Sequence, residues 1–150
     1  MKTLAELLQQ QPVFLNDWKN KTDIVSDFDD IYMSEEEYNA ETSPYADIQV
    51  WEERKAEMKA SKEKWLPINI LFASYSTGNY EGDAWVLFEE NGELFEVSGS
   101  HCSCYGLEGQ WDREPVVLEE LKNRIEKGSF GNDDYLGNDF AAELKVFLGL

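Results

Sequence analysis

Alternating apolar and polar residues predict a β-hairpin in the second half of the chain. Two such runs, Asp83–Glu90 and Glu93–Ser100, flank Asn91 and Gly92, and Asn-Gly is strongly preferred in two-residue type I′ turns. A turn of this kind sets the register of its two strands. The predicted cross-strand pairs are Glu90 with Glu93, Phe88 with Phe95, Val86 with Val97, and Ala84 with Gly99.

Helices are predicted before and after this hairpin. Thr3 and Glu6 have the spacing of a capping box ahead of a short first helix. Ser43 and Pro44 have the residue types of an N-cap and first helical position. Two further helices should begin at Glu114-Pro115 and after Asn138, which would be the cap of the last helix. The predicted core-facing residues are Leu4, Leu7, Leu8, Ile48, Trp51, Met58, Trp65, Val117, Leu118, Leu121, Ile125, Phe140, Leu144, Phe147 and Leu148.

These elements, with an apolar run at Ile68–Ser74 as a further strand, predict an α+β fold. In that fold several helices flank a small antiparallel meander of about three strands. The chain of 150 residues has the length of one domain. Because it has no internal repeat and no long linker, we expect residues 1–150 to form a single domain.

The composition is strongly acidic, with 31 Asp and Glu against 13 Lys and Arg and a formal net charge of -18. Such a charge repels phosphate backbones, so direct binding to nucleic acid is disfavoured. No apolar run approaches the ~20 residues needed to cross a bilayer, and the N-terminus is too polar for a secretory signal. We therefore expect a cytoplasmic location without membrane contact, although acidity also has the simpler role of maintaining solubility.

Two long blocks of the sequence carry acids and no bases. The first runs from Thr22 to Glu41, and the second lies between Lys64 and Arg113. On one folded surface they would resemble the charge of a nucleic-acid backbone and attract a protein with a basic surface. The alternative is a solvated surface whose hairpin charges protect an edge strand. The predicted partner contacts, chosen where acids are densest, are Asp27, Asp29, Asp30, Glu35, Glu36 and Glu37.

The first block also has residues that can pack. Its predicted apolar face comprises Ile24, Val25, Phe28, Ile31 and Tyr32. Such a face argues against a disordered tail, so we expect the block to be folded.

His101, Cys102 and Cys104 form the chain's cluster of soft metal ligands. Zinc prefers four such ligands, so a carboxylate such as Glu108 would have to complete the site. The alternative is a packed cysteine pair without any cofactor, because His101 and Cys102 point to opposite sides of a continuing strand. A Cys–His nucleophile lacks an identifiable orienting group, and Asp133-Asp134 lacks the spacing of a calcium loop. We therefore expect a protein without enzymatic activity.

Two segments, GDAWVLF (Gly82–Phe88) and HCSCYGLEGQW (His101–Trp111), resemble a region of small proteins carried by bacteriophages and prophages. That group has no established activity, so the resemblance transfers no site residues. It implies a phage accessory protein in the bacterial host cytoplasm, where many such proteins block a host enzyme. The leading hypothesis is an acidic inhibitor of a host DNA-binding or defence enzyme, of the restriction or CRISPR type. A zinc-binding domain and a virion-associated structural protein are the alternatives.

Overall fold

In the computed structural model, which describes every residue except 32, 134 and 136, a five-stranded sheet lies between two layers of helices. The strands are β1 (Val13–Asn16), β2 (Asn69–Gly78), β3 (Glu81–Glu90), β4 (Glu93–His101) and β5 (Glu114–Pro115). The helices are α1 (Leu4–Leu8), α2 (Lys21–Asp29), α3 (Glu35–Tyr38), α4 (Ile48–Trp65), α5 (Leu118–Lys127) and α6 (Ala141–Leu148). Tyr32 of the predicted apolar face and Asp134 of the loop considered for calcium lie outside the described residues.

The predicted α+β class and the central hairpin are confirmed. β3 and β4 pair antiparallel in the predicted register, with Glu90 opposite Glu93 and Val86 opposite Val97. The capping box of α1 is also present, because the Thr3 side chain accepts from the Glu6 backbone and the Glu6 side chain accepts from the Thr3 backbone. These features depend on residues close together in sequence, which is why local patterns identified them.

The predicted number of about three strands is wrong, because the sheet has five in the order β1-β2-β3-β4-β5. β1 pairs in parallel with β2, placing Phe14 beside Ala73. β1 and β2 are far apart in sequence, so no turn motif between them could predict this pairing. β5 consists of Glu114 and Pro115, which were predicted to begin a helix. Proline is tolerated there because β5 is an edge strand.

Several helix boundaries also differ from the predicted ones. α4 begins after Asp47, whose side chain accepts from two backbone N–H groups, so the start predicted at Ser43 is wrong and Ile48 is exposed. α5 begins at Leu118, which leaves Val117 outside the core. Asn138 does not cap α6, because it is buried and hydrogen-bonded to other parts of the chain.

Two hydrophobic cores cover the two faces of the sheet. On one face, Trp18, Ile24 and Phe28 pack with Trp65 of α4 against Val86 and its neighbours in the sheet. The opposite core combines residues of α1, α5 and α6 with residues of β2, β3 and β4, including Leu7, Phe72, Trp85, Leu87, Leu121 and Leu144. A smaller cluster around Met33, Trp51 and Met58 joins α4 to the segment near α3. The central strands are therefore covered on both sides, as the apolar residues on both faces of β3 predicted.

No helix in the described part of the chain is long and apolar enough to cross a membrane.

We expect Arg124→Met to destabilise the fold. The guanidinium of Arg124 donates to both carboxylate oxygens of Glu96, at 2.6 and 3.0 Å, and Trp85 Nε1 donates to the same carboxylate at 3.0 Å. Because Glu96 is 9% exposed, removal of the arginine leaves a buried charge without its cation. The expected loss is about 1–3 kcal/mol in the free energy of unfolding, measured by urea denaturation. Lys127→Met, at an exposed position of the same helix, is the control, and equal losses in the two variants would contradict the prediction.

Candidate functional site

Asp29, the second of the six predicted partner contacts, is used to hold the fold together. Its carboxylate accepts hydrogen bonds from Ser61 Oγ at 2.6 Å, Lys64 Nζ at 2.8 Å and Trp65 Nε1 at 2.8 Å. Burial, the largest single influence, opposes its ionisation, but these donors and the charge of Lys64 together lower the pKa of Asp29. Asp29 therefore links the end of α2 to α4 and offers little charge to a partner.

Asp27 is half-buried and has a different environment. It accepts a hydrogen bond of 2.7 Å from Trp18 Nε1, and it forms no ion pair with another described residue. Burial raises the pKa of Asp27 and the neighbouring carboxylates of Asp23 and Asp17 add to the rise, while the Trp18 hydrogen bond and His101 oppose it. The surroundings of Asp27 therefore disfavour its ionised form, in contrast to those of Asp29.

The other four predicted contacts divide into two groups. Glu35 forms an ion pair with Lys62 of α4, and Glu37 accepts a hydrogen bond of 2.8 Å from the Tyr45 hydroxyl. Asp30 is the left-handed C-cap residue of α2, with φ of 51°. Within the described part of the chain, the exposed carboxylates of Asp30 and Glu36 form no hydrogen bond or ion pair. The predicted set is therefore not one uniformly negative surface.

Bases from elsewhere in the chain also neutralise acids of the second block. Arg113 makes a bidentate pair with Glu90, at 3.0 and 3.3 Å, and Arg124 pairs with Glu96. Glu89 is buried and accepts from the Asn69 side chain and the Gly92 backbone. Each of the four ion pairs found among the described residues joins a base-free block to a base outside it. The pairs are Lys62–Glu35, Lys64–Asp29, Arg113–Glu90 and Arg124–Glu96.

One end of the sheet keeps its carboxylates without such pairing. At this end β2 finishes, β3 begins and β4 finishes, so that Gly78 lies opposite Glu81 and Gly82 lies opposite His101. The segment after β1 joins it, because Asp17 donates its backbone N–H to the Tyr75 carbonyl. We call this surface the acidic end. Its acids, none of which forms an ion pair within the described residues, are Asp17, Asp27, Glu81, Asp83 and Glu108.

The electrostatic effect of these acids is visible on the groups between them. Burial raises the pKa of Tyr75 to about 12, with further contributions from Asp27, Asp17 and Glu108. Burial likewise raises the pKa of Asp83, where a hydrogen bond from Asn138 opposes the rise and the charge of Asp133 adds to it. Like charges therefore face one another at the acidic end, where none of the five carboxylates forms an ion pair with a described residue.

His101 lies within this end of the sheet, and both of its ring nitrogens have protein partners. Nε2 is 2.6 Å from the Tyr75 hydroxyl, and Nδ1 is 3.1 Å from the Cys102 carbonyl oxygen. Gly82 is required beneath the ring, because a Cβ there would lie 2.3 Å from Nε2. The His101 ring therefore packs beside Tyr75, which belongs to the core on one face of the sheet.

The proposed zinc ligands His101, Cys102 and Cys104 gain no support from this arrangement. Cys102 and Cys104 are free thiols, the second of them exposed. Among the residues that the structure describes, no group of three or more His, Cys, Asp or Glu side chains is placed to hold a metal ion. The zinc hypothesis stays a prediction, which elemental analysis of protein purified without chelator tests.

Sequence reasoning selected the densest acids and missed the isolated ones. Asp17 lies outside both base-free blocks, and Glu81 and Glu108 belong to the second block, where acids are more widely spaced. Two of the acids selected by density, Asp29 and Glu35, pair with lysines of α4, which a count of acids along the sequence does not reveal. A usable signal would have been the position of Glu81 at the boundary of the apolar strand run, since loops at strand ends commonly carry binding residues.

Comparison with known proteins identifies no relative: no family model, no curated protein and no solved structure matches the chain.

We expect Asp29→Asn to lower stability at neutral pH by about 1–3 kcal/mol, because it removes the anion from three donors, one of them charged. A carboxyl whose pKa is lower in the folded state stabilises the fold above its unfolded pKa of about 3.9 and loses that contribution as pH falls through the folded pKa. The difference between variant and wild type should therefore shrink below about pH 4. Urea denaturation between neutral and acidic pH measures it.

Asp27→Asn is the matched comparison and should show the opposite trend. The pKa of Asp27 is raised in the folded state, so the wild type loses stability as pH rises from about 3.9 through the folded pKa. The asparagine keeps an oxygen for Trp18 Nε1 and escapes that loss. Relative to wild type, this variant should therefore gain stability as pH rises, and parallel pH profiles for the two variants would contradict both assignments.

Proposed function

We propose that this chain is a phage-encoded acidic binding protein that inhibits a host DNA-binding or defence enzyme by occupying its basic surface. One observation carries the proposal: five carboxylates gather at the acidic end, and every ion pair among the described residues lies elsewhere. In a chain with 13 bases and 31 acids, the bases that pair within the fold are placed away from this surface. The five carboxylates at the acidic end are what a basic partner would meet.

Binding of a basic partner would relieve repulsion that the free protein retains. Burial is the main cause of the raised pKa of Tyr75 and of Asp83, and nearby carboxylates raise both further; cations of a partner would stabilise the ionised forms. Complementary charge also accelerates association and makes it sensitive to salt. The same charge opposes binding to nucleic acid itself, so the proposed partner is a protein.

The biological context of the proposal comes from the resemblance to phage proteins at Gly82–Phe88 and His101–Trp111. A phage accessory protein acts in the bacterial cytoplasm, where restriction and CRISPR effectors have basic grooves that bind nucleic acid. A negatively charged protein surface that occupies such a groove would compete with DNA or RNA. The resemblance and the negative charge are the two grounds for choosing a nucleic-acid-binding host protein as the class of partner.

A charge-variant series tests the proposal. The acidic-end variant combines Asp17→Asn, Glu81→Lys and Glu108→Gln, in which asparagine and glutamine keep an acceptor for the local hydrogen bonds of Asp17 and Glu108. The control combines Glu52→Lys and Glu63→Lys on the exposed side of α4, and it changes the net charge by the same amount. A third variant, Asp30→Lys with Glu36→Lys, examines the exposed members of the set predicted from sequence.

The measurement is a pull-down from bacterial lysate at low and high salt with identification by mass spectrometry, followed by titration of the purified partner. We expect the acidic-end variant to lose about tenfold in affinity and much of its salt dependence, because charge pairs at an interface act on association. The α4 control should resemble wild type. Equal affinity of the acidic-end variant and wild type would contradict the proposal.

A further inference from the structure

Three tyrosines project into solvent from the acidic end. Tyr80 is 83% exposed, Tyr135 is 70% exposed and Tyr105 is 55% exposed. Tyrosine is large and partly apolar, so three such side chains without cover form an unusual surface for a free protein. Among residues at protein interfaces, tyrosine and arginine are frequent energetic anchors.

The fold brings the three tyrosines to one end of the sheet from separate segments. Tyr80 is at the tip of the β2–β3 hairpin, where Gly78 pairs with Glu81. Tyr105 follows β4 and donates its backbone N–H to the Cys102 carbonyl. Tyr135 belongs to a loop that reaches the same end, since Gly137 lies against Ser76 and Asn138 is bonded to Ser74 and Asp83.

The molecule already shows how such side chains receive an arginine. The Arg113 guanidinium lies 5.0 Å from the Phe88 ring and 4.9 Å from the Phe95 ring while it pairs with Glu90. An equivalent arrangement occurs at α5. There Arg124 lies 4.2 Å from the Phe130 ring while it pairs with Glu96. Twice, therefore, phenylalanine rings and a carboxylate together hold one guanidinium, and Lys62 at Tyr38 and Lys64 at Trp65 show that a ring and a carboxylate also receive an ammonium.

The acidic end presents the same two components without an arginine. Tyr80 adjoins Glu81 in the hairpin, and Tyr105 shares a short loop with Glu108. We propose that these tyrosine and carboxylate side chains form a docking surface for arginine side chains of a basic protein partner. This inference rests on the proposed function, because it assigns the contact surface and the residue type that the surface recognises.

Arginine suits this surface better than lysine for a physical reason. A guanidinium is planar and weakly hydrated, so it can stack on an aromatic ring and donate to a carboxylate at the same time. An ammonium is a compact and strongly hydrated charge that gains less from the ring. A surface of carboxylates alone would treat the two side chains as nearly equal charges, whereas the tyrosines add a preference for arginine.

Tyr80 offers a variant that separates binding from folding. Its φ is 65° and that of Asn79 is 51°, so this two-residue turn places a bulky side chain where glycine is favoured. Tyr80→Gly removes the ring and also relieves the backbone strain. The variant should therefore be at least as stable as wild type, which makes a loss of binding attributable to the missing side chain.

Two peptides of equal charge, nona-arginine and nona-lysine, are the probes, titrated into the full chain at low salt and followed by fluorescence anisotropy. We expect wild type to bind the arginine peptide more tightly. The double variant Tyr80→Gly with Tyr105→Ser should lower the affinity for the arginine peptide by about two- to fivefold per tyrosine removed. Its affinity for the lysine peptide should fall less. Leu66→Ser, which removes an exposed apolar side chain just before the opposite end of β2, should change neither affinity.

Each outcome bears on the inference separately from the proposed function. Equal affinity for the two peptides, failure of the arginine peptide to bind, or unchanged binding by the tyrosine variant would overturn the arginine preference. The proposed function would still stand if the acidic-end charge variant lost its purified partner. If that charge variant kept its partner while wild type preferred the arginine peptide and the tyrosine variant lost that preference, the proposed function would fail and only a preference for arginine would remain. A thermal melt of Tyr80→Gly below that of wild type would contradict the strain argument.

Discussion

The molecule has 31 acids and 13 bases, so no fold of this chain can neutralise all of its carboxylates. What the fold decides is where the bases lie. Lys62 and Lys64 extend from α4 to the first acidic block, while Arg113 and Arg124 reach the carboxylates of the hairpin. Three of the four anions, Asp29, Glu90 and Glu96, are largely buried, and these contacts offset a desolvation that would otherwise oppose folding. The end of the sheet that receives none of these four bases keeps five carboxylates outside these ion pairs.

The central hairpin explains why acids from separate segments of the chain meet at the acidic end. β2, β3 and β4 run antiparallel, so the β2–β3 turn and the loop after β4 emerge at the same end. Asn138 brings the loop before α6 to this end by its hydrogen bonds to Ser74 and Asp83. Both faces of the strands are covered by apolar cores, which fix the frame and leave the loops to carry variable polar residues. A rigid sheet with loops at its end is a common basis for binding surfaces.

The candidate site was only partly predictable from sequence. Acid density selected Asp29 and Glu35, but their neighbours in space are lysines of α4 and both are neutralised. Asp27 was selected on the same grounds and does belong to the acidic end, because the end of α2 approaches Tyr75 there. Asp17 was not selected, since nothing near it in sequence indicates that it adjoins β2. The sequence shows how many acids a segment contains, whereas only the folded structure determines which of those acids lie close to a cation.

Local chemistry in the sequence determined the β3–β4 register, the capping box of α1, the α+β class and the excess of negative charge. Each of these depends on residues close in sequence or on composition. The tertiary structure alone decided the parallel pairing of β1 with β2, the burial of Asn138 and the distribution of ion pairs. These features join residues far apart along the chain, and a distant pair forms only when the whole core brings its members together.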